Sequence, residues 1–185
     1  MGWFGYRIYD GDGTFSYQAD MLEVAGYKNG ALIPSRSESE PMDIYSMDEG
    51  FIVSDEALAK VYKAYPKIMK KFGLDKLVEL NARDFESKVL RKRSYDDDVL
   101  IPLTMVADFF FRHDAAMPGK LQDRAVQAFK LLLESEHADD FQEPALRKRE
   151  LRKHMRKIEQ HKPKFRYFRE NIAKMPAKKA AAKKM

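Results

Sequence analysis

The chain has 185 residues, of which 44% are hydrophobic and 12% aromatic, so it can bury a core and is not disordered throughout. It has no cysteine, which excludes disulfides and cysteine-ligated zinc, and no apolar run as long as a membrane span. Its net charge of +5 conceals a division, because residues 1–144 carry 18 Lys and Arg against 26 Asp and Glu, whereas residues 145–185 carry 16 against 3. We expect a soluble, intracellular protein with an acidic helical domain over 1–144, a basic helical extension over 145–175 and a disordered Lys/Ala tail over 176–185.

The first fifty residues predict short elements separated by turns. Aromatic residues over 3–9 indicate a strand or ribbon, and the Asp/Gly run at 10–13 indicates a tight turn. A helix is predicted over 17–26, ending near a glycine. Beyond it we expect a small ribbon over 27–33 and then a polar loop over 34–50.

From residue 54 the spacing becomes helical. Ser54 is a suitable N-cap for a long helix with one apolar face, Pro66 should kink it, and Gly73 should end it. A second helix is predicted over 75–93. These helices would pack around a third one.

That third helix, over 99–112, is apolar on every face, which is typical of a buried central helix. A strand over 99–103 followed by a helix is the competing interpretation. Another amphipathic helix is predicted over 119–135. The fold class is therefore mainly α: about five or six helices, a short N-terminal aromatic strand or ribbon, and a basic C-terminal helical extension.

The last long helix should begin near Pro144, a residue favoured in the first turn. Leu151, Met155 and Ile158 fall within an arc of roughly 60° at about 100° per residue. Basic residues cover much of the remainder. Pro163 should break or kink the helix, and a shorter amphipathic piece should follow.

The basic segment predicts contact with phosphates, since clustered Lys and Arg neutralise a polyanion and release its counterions. Aromatic residues among the cations could stack on unpaired bases. The predicted nucleic-acid-binding residues are Lys148, Arg149, Arg152, Lys153, Arg156, Lys157, Lys164, Arg166, Tyr167 and Arg169. The run AKKAAAKK at 177–184 resembles the tails of linker-histone-like proteins, which implies non-specific binding to the nucleic-acid backbone.

Two other interpretations of the charge division stay open. The basic helix could dock on an acidic protein surface, either its own body or a partner. Alternatively, the acidic body could bind a partner protein, as phage inhibitors do when they imitate nucleic acid. Membrane binding is not expected, because a Leu/Met/Ile stripe without Trp is a poor anchor.

Residues 9–14, YDGDGT, resemble the nucleophile motif of haloacid-dehalogenase-type phosphatases. The resemblance implies a magnesium-dependent enzyme in which Asp10 attacks phosphorus and Asp12 is the general acid/base. That family alternates strands and helices to build a parallel sheet, whereas this chain has helical patterns almost throughout after residue 54. We therefore favour a tight turn at this segment and a protein that is not an enzyme.

Histidines offer a further candidate site. His154 and His161 share a helical face if the helix continues that far, and Glu150 precedes His154 by one turn. No standard ligand spacing is met, so we expect surface histidines and neither a metal nor a cofactor.

Overall fold

The computed structural model describes residues 12–27, 53, 55–135 and 144–163. Within them it is mainly helical, which confirms the predicted fold class, and the N-terminal aromatic strand lies outside the described residues. Seven α-helices make up the described part of the chain: α1 (Asp12–Val24), α2 (Asp55–Lys71), α3 (Asp75–Val78), α4 (Ala82–Leu90), α5 (Ile101–Arg112), α6 (Leu121–Glu134) and α7 (Pro144–Glu159).

Helix α5 is the centre of the molecule, as its uniformly apolar sequence predicts. Every residue from 101 to 110 is buried, and α1, α6 and α7 all pack against this helix. A π-helical turn, Asp96–Leu100, leads directly into α5. The competing strand over 99–103 is therefore wrong, because those residues satisfy their backbone groups within one continuous helical segment.

The predicted helix over 75–93 is two helices, α3 and α4. Asn81 separates them: its backbone is extended (φ −72°, ψ 169°), and its side-chain oxygen accepts a hydrogen bond from the backbone N–H of Asp84 at 2.9 Å. This N-cap begins α4 as a separate helix, which explains why the described residues contain more helices than predicted.

Two helices end at glycines, as predicted. Gly26 and Gly73 have φ of +100° and +66°, the left-handed region that glycine adopts without steric penalty. After α2, Gly73 donates to the carbonyl of Lys70 and Leu74 donates to that of Met69, at 3.0 and 2.8 Å. This pattern is a Schellman motif. Helix α2 itself continues through Pro66 to Lys71.

At its other end, α1 begins at Asp12, five residues before the predicted start. The second half of the Asp/Gly run is therefore the first turn of a helix and not part of a tight turn. The loop over 34–50 and most of the ribbon over 27–33 lie outside the described residues.

Candidate nucleic-acid interface

The predicted apolar stripe of α7 faces the body of the protein. Leu151 and Ile158 are 2% and 0% exposed and belong to the hydrophobic core, and Met155 packs against that core. Helix α7 contacts both α6 and α5. Arg147 is also buried, at 2% exposure, although sequence analysis gave it no role. The sequence contains a signal for this burial, because Arg147 lies four residues before Leu151 and therefore on the same side of the helix.

A buried carboxylate of the central helix lies against α7. Asp108 of α5 is fully buried; its Oδ2 lies 2.7 Å from Nε of Arg112, and its Oδ1 lies 2.5 Å from Nε2 of His154. The rings of Phe111 and Phe129 flank His154, with centroids 5.8 and 5.6 Å from the imidazole. His154 is thus a contact between α7 and α5, and the expected surface position is wrong for it.

The C-terminal end of α7 is held by α6. The Gln122 side chain donates to the carbonyls of Ile158 and His161 at 2.8 and 3.1 Å, and Nε2 of His161 lies 3.0 Å from the carbonyl of Ala115. The bonds from Gln122 satisfy carbonyls at the end of α7, where a helix leaves such groups without intrahelical partners. Ala115 belongs to the segment between α5 and α6. The helix ends at Glu159, four residues before Pro163.

The opposite side of α7 carries the predicted cations. Arg149, Arg152, Lys153, Arg156 and Lys157 are all exposed, and Lys148 is half-buried beside them. At about 100° and 1.5 Å per residue, the five exposed side chains span an arc of roughly 140° and a length of about 12 Å. We call these five residues the basic face.

Few of these cations are paired within the described part of the chain. Arg149 and Lys153 lie 3.5 and 3.7 Å from Glu150, and such exposed pairs contribute little to stability. No described acidic side chain forms a salt bridge with Arg152, Arg156 or Lys157. Most of the charge of the basic face is therefore available to an external anion.

The structure brings together six of the ten predicted nucleic-acid-binding residues on one helix. The other four, Lys164, Arg166, Tyr167 and Arg169, lie outside the described residues. Their contribution stays a prediction.

The other candidate sites gain no support from the described residues. Asp10 lies outside them, Asp12 is the first residue of α1, and residues 55–135 contain helices where a phosphatase sheet would be expected. His154 has an arginine-paired carboxylate as its neighbour, and no group of three or more possible metal ligands occurs among the residues that were placed. None of the helices described is both long and apolar enough to cross a membrane.

The basic face is thus the strongest candidate site on geometric grounds: a row of exposed cations on a helix whose other side is anchored in the core. Comparison of the chain with protein-family models, with curated proteins and with solved structures found no match.

Proposed function

We propose that this protein binds nucleic acid through the phosphate backbone, using the basic face of α7 together with the basic segment 164–185. The observation that carries the proposal is the placement of five exposed cations on one side of a helix that is anchored on its other side. An anchored helix presents its charges already ordered, so binding loses less conformational entropy than it would with a free basic peptide.

The dimensions of the basic face suit a phosphate backbone. A length of about 12 Å corresponds to three or four phosphates of one DNA strand, which are spaced about 3.4 Å apart along the helix axis. Arginine can hold a phosphate with two parallel hydrogen bonds, and three of the five cations are arginines. Phosphate contacts position a protein without reading the bases, so we expect little sequence specificity.

The segment that follows α7 would extend this surface. Lys164, Arg166 and Arg169 add cations, and Tyr167 could stack on an unpaired base. We therefore expect single-stranded nucleic acid to gain both ionic contacts with its phosphates and stacking on its bases.

Substitution on the basic face tests the proposal better than truncation does. Deleting residues 145–185 would remove Leu151 and Ile158 from the core, and any loss of binding could then reflect unfolding. We expect the triple variant R152Q/R156Q/K157Q to bind random-sequence DNA more weakly. For duplex DNA, the slope of log affinity against log salt should fall by about 2.7, since each phosphate contact contributes about 0.9.

The matched control is K67Q/K70Q/K88Q, which removes three exposed cations from α2 and α4 and changes the net charge equally. Fluorescence anisotropy with labelled single-stranded and duplex DNA measures both affinities across a salt series. Equal slopes for the two triple variants would show that the basic face is not the binding surface. A partner protein that survives nuclease treatment and is lost only in R152Q/R156Q/K157Q would also contradict the proposal.

A further inference from the structure

A groove lies between α4 and α6 and follows α6 from Gln122 to Glu134. It has a volume of about 610 Å³, and α4, α6 and the last residue of α7 contribute to its lining. Apolar side chains of Val126 and Leu131 form part of that lining. Four exposed carboxylates complete it: Glu86, Asp123, Glu134 and Glu159.

The charge of this groove is poorly balanced by its own residues. None of the four carboxylates forms a salt bridge with a cation in the described part of the chain. Arg124 is 7% exposed and directs its guanidinium to the carbonyl of Leu80 and to the side chain of Gln127, so Lys130 is the exposed cation of the lining. A groove with an apolar part and a negative rim fits Lys and Arg side chains, whose stems are apolar and whose ends are charged.

The described chain ends beside this groove. Glu159 is part of the lining, and Gln122, another lining residue, holds the carbonyls of Ile158 and His161. Residues 164–185 follow, with eight Lys and Arg against a single acidic residue. Fully extended, these residues reach about 70 Å, whereas the groove side of α6 from Gln122 to Glu134 is about 18 Å long.

We propose that the α4–α6 groove binds the basic segment 164–185 of the same chain. Charge complementarity, the apolar part of the lining and the exit of the chain at one end of the groove support this occupant. A consequence, which rests on the proposed function, is that nucleic acid competes with the groove for the segment. The acidic body would then restrain the basic segment until a stronger polyanion displaces it.

A spin label on the segment tests the docking directly. The chain has no cysteine, so Ala177→Cys creates a single site for a nitroxide on the full-length protein. We expect the label to broaden the amide NMR signals of groove residues such as Glu86 and Lys130 more than that of Lys67 on α2. The difference should disappear at high salt, which screens the ionic contacts.

Charge variants show whether the groove is responsible. E86Q/E134Q/E159Q should abolish the selective broadening, whereas D55N/E56Q/D98N, which neutralises three exposed carboxylates outside the groove, should preserve it. Broadening that is uniform over the surface, or that persists in the groove variant, would overturn the proposal. A mixing experiment gives a further test, in which an isotope-labelled chain without the cysteine is mixed with a spin-labelled chain that carries no isotopes. Selective broadening in this mixture would also overturn the proposal, because the occupant would then come from a second copy.

Nucleic-acid affinity gives a separate readout. The groove variant should bind random-sequence DNA more tightly than the control variant, by about twofold for a segment docked half of the time, because the apparent affinity scales with the competent fraction. If neither variant binds nucleic acid, the proposed function fails while the spin-label result still decides the docking. If the groove variant and the control variant bind nucleic acid equally, the competition between nucleic acid and the groove is wrong, while the docking is judged by the spin label.

Discussion

At the scale of single residues, Asp108 is one of the charged side chains buried in the described structure. It is a fully buried carboxylate in the middle of an apolar central helix, and its partners are Arg112 on the same helix and His154 on α7. Burying a charge is unfavourable unless it is paired, so the Asp108 carboxylate depends on Arg112, whose Nε donates to it at 2.7 Å. Its other oxygen lies against His154, so α7 covers this buried ion pair.

We expect Asp108→Ala to destabilise the protein by about 3–5 kcal/mol, because it leaves the guanidinium and the imidazole without their carboxylate. Urea denaturation followed by circular dichroism measures the change in the free energy of unfolding. Glu86→Ala is the control, since it removes an exposed carboxylate and should change stability by no more than about 0.5 kcal/mol. A loss for Asp108→Ala as small as that of the control would show that the buried cluster contributes nothing to stability.

At the scale of one element, α7 combines local helical signals with tertiary attachments. Pro144 in the first turn and the spacing of Leu151, Met155 and Ile158 favour the helix itself. Its orientation comes from tertiary contacts: Leu151 and Ile158 pack in the shared core, and Gln122 of α6 bonds to the C-terminal end of the helix. The basic face is exposed because these contacts use the other side of the helix.

Gln122→Ala should loosen the end of α7 without unfolding the protein. The lost hydrogen bonds should cost about 1 kcal/mol in total stability, and the amides of Gln160 and His161, which close the last turn, should exchange with solvent faster. Native-state hydrogen exchange measures this. In Gln127→Ala, which removes a bond to the carbonyl of Ala82 in α4 and one from Arg124, exchange at those two amides should stay as in the unmodified protein. Unchanged exchange in Gln122→Ala would rule out this anchoring role.

At the scale of the whole molecule, the acidic and basic parts of the sequence share one hydrophobic core. Leu151 and Ile158, from the basic part, belong to the same buried cluster as Phe109 and Phe129 of α5 and α6. Helices that share a core are expected to unfold together. Within the described residues, the acidic and basic parts of the sequence therefore differ in surface charge but share one interior.

A substitution in the shared core should therefore affect every part of the described fold. We expect Leu151→Ala, at a site that is 2% exposed, to cost about 2–5 kcal/mol and to shift the far- and near-ultraviolet circular dichroism transitions together. Leu90→Ala, at a half-exposed leucine, should cost much less. An early transition of small amplitude in Leu151→Ala would show instead that α7 unfolds by itself.

Much of the helical architecture could be predicted because it depends on neighbours in the chain. The central helix follows from its uniformly apolar sequence, and the two glycine helix ends follow from the backbone freedom of glycine. The division at Asn81 was missed, although Asn followed three residues later by Asp is a typical helix start. The long apolar periodicity on either side of Asn81 outweighed that shorter signal.

Local spacing was enough to establish the helical class, the basic face and the stripe on the opposite side of α7, because residues three and four apart share a helical face whatever surrounds them. The contact of Asp108 with His154 and the α4–α6 groove required the tertiary structure. Each depends on side chains from different helices, often tens of residues apart in the chain. Only the packing of the helices brings such groups within a few ångströms of one another, and no short-range pattern encodes that distance.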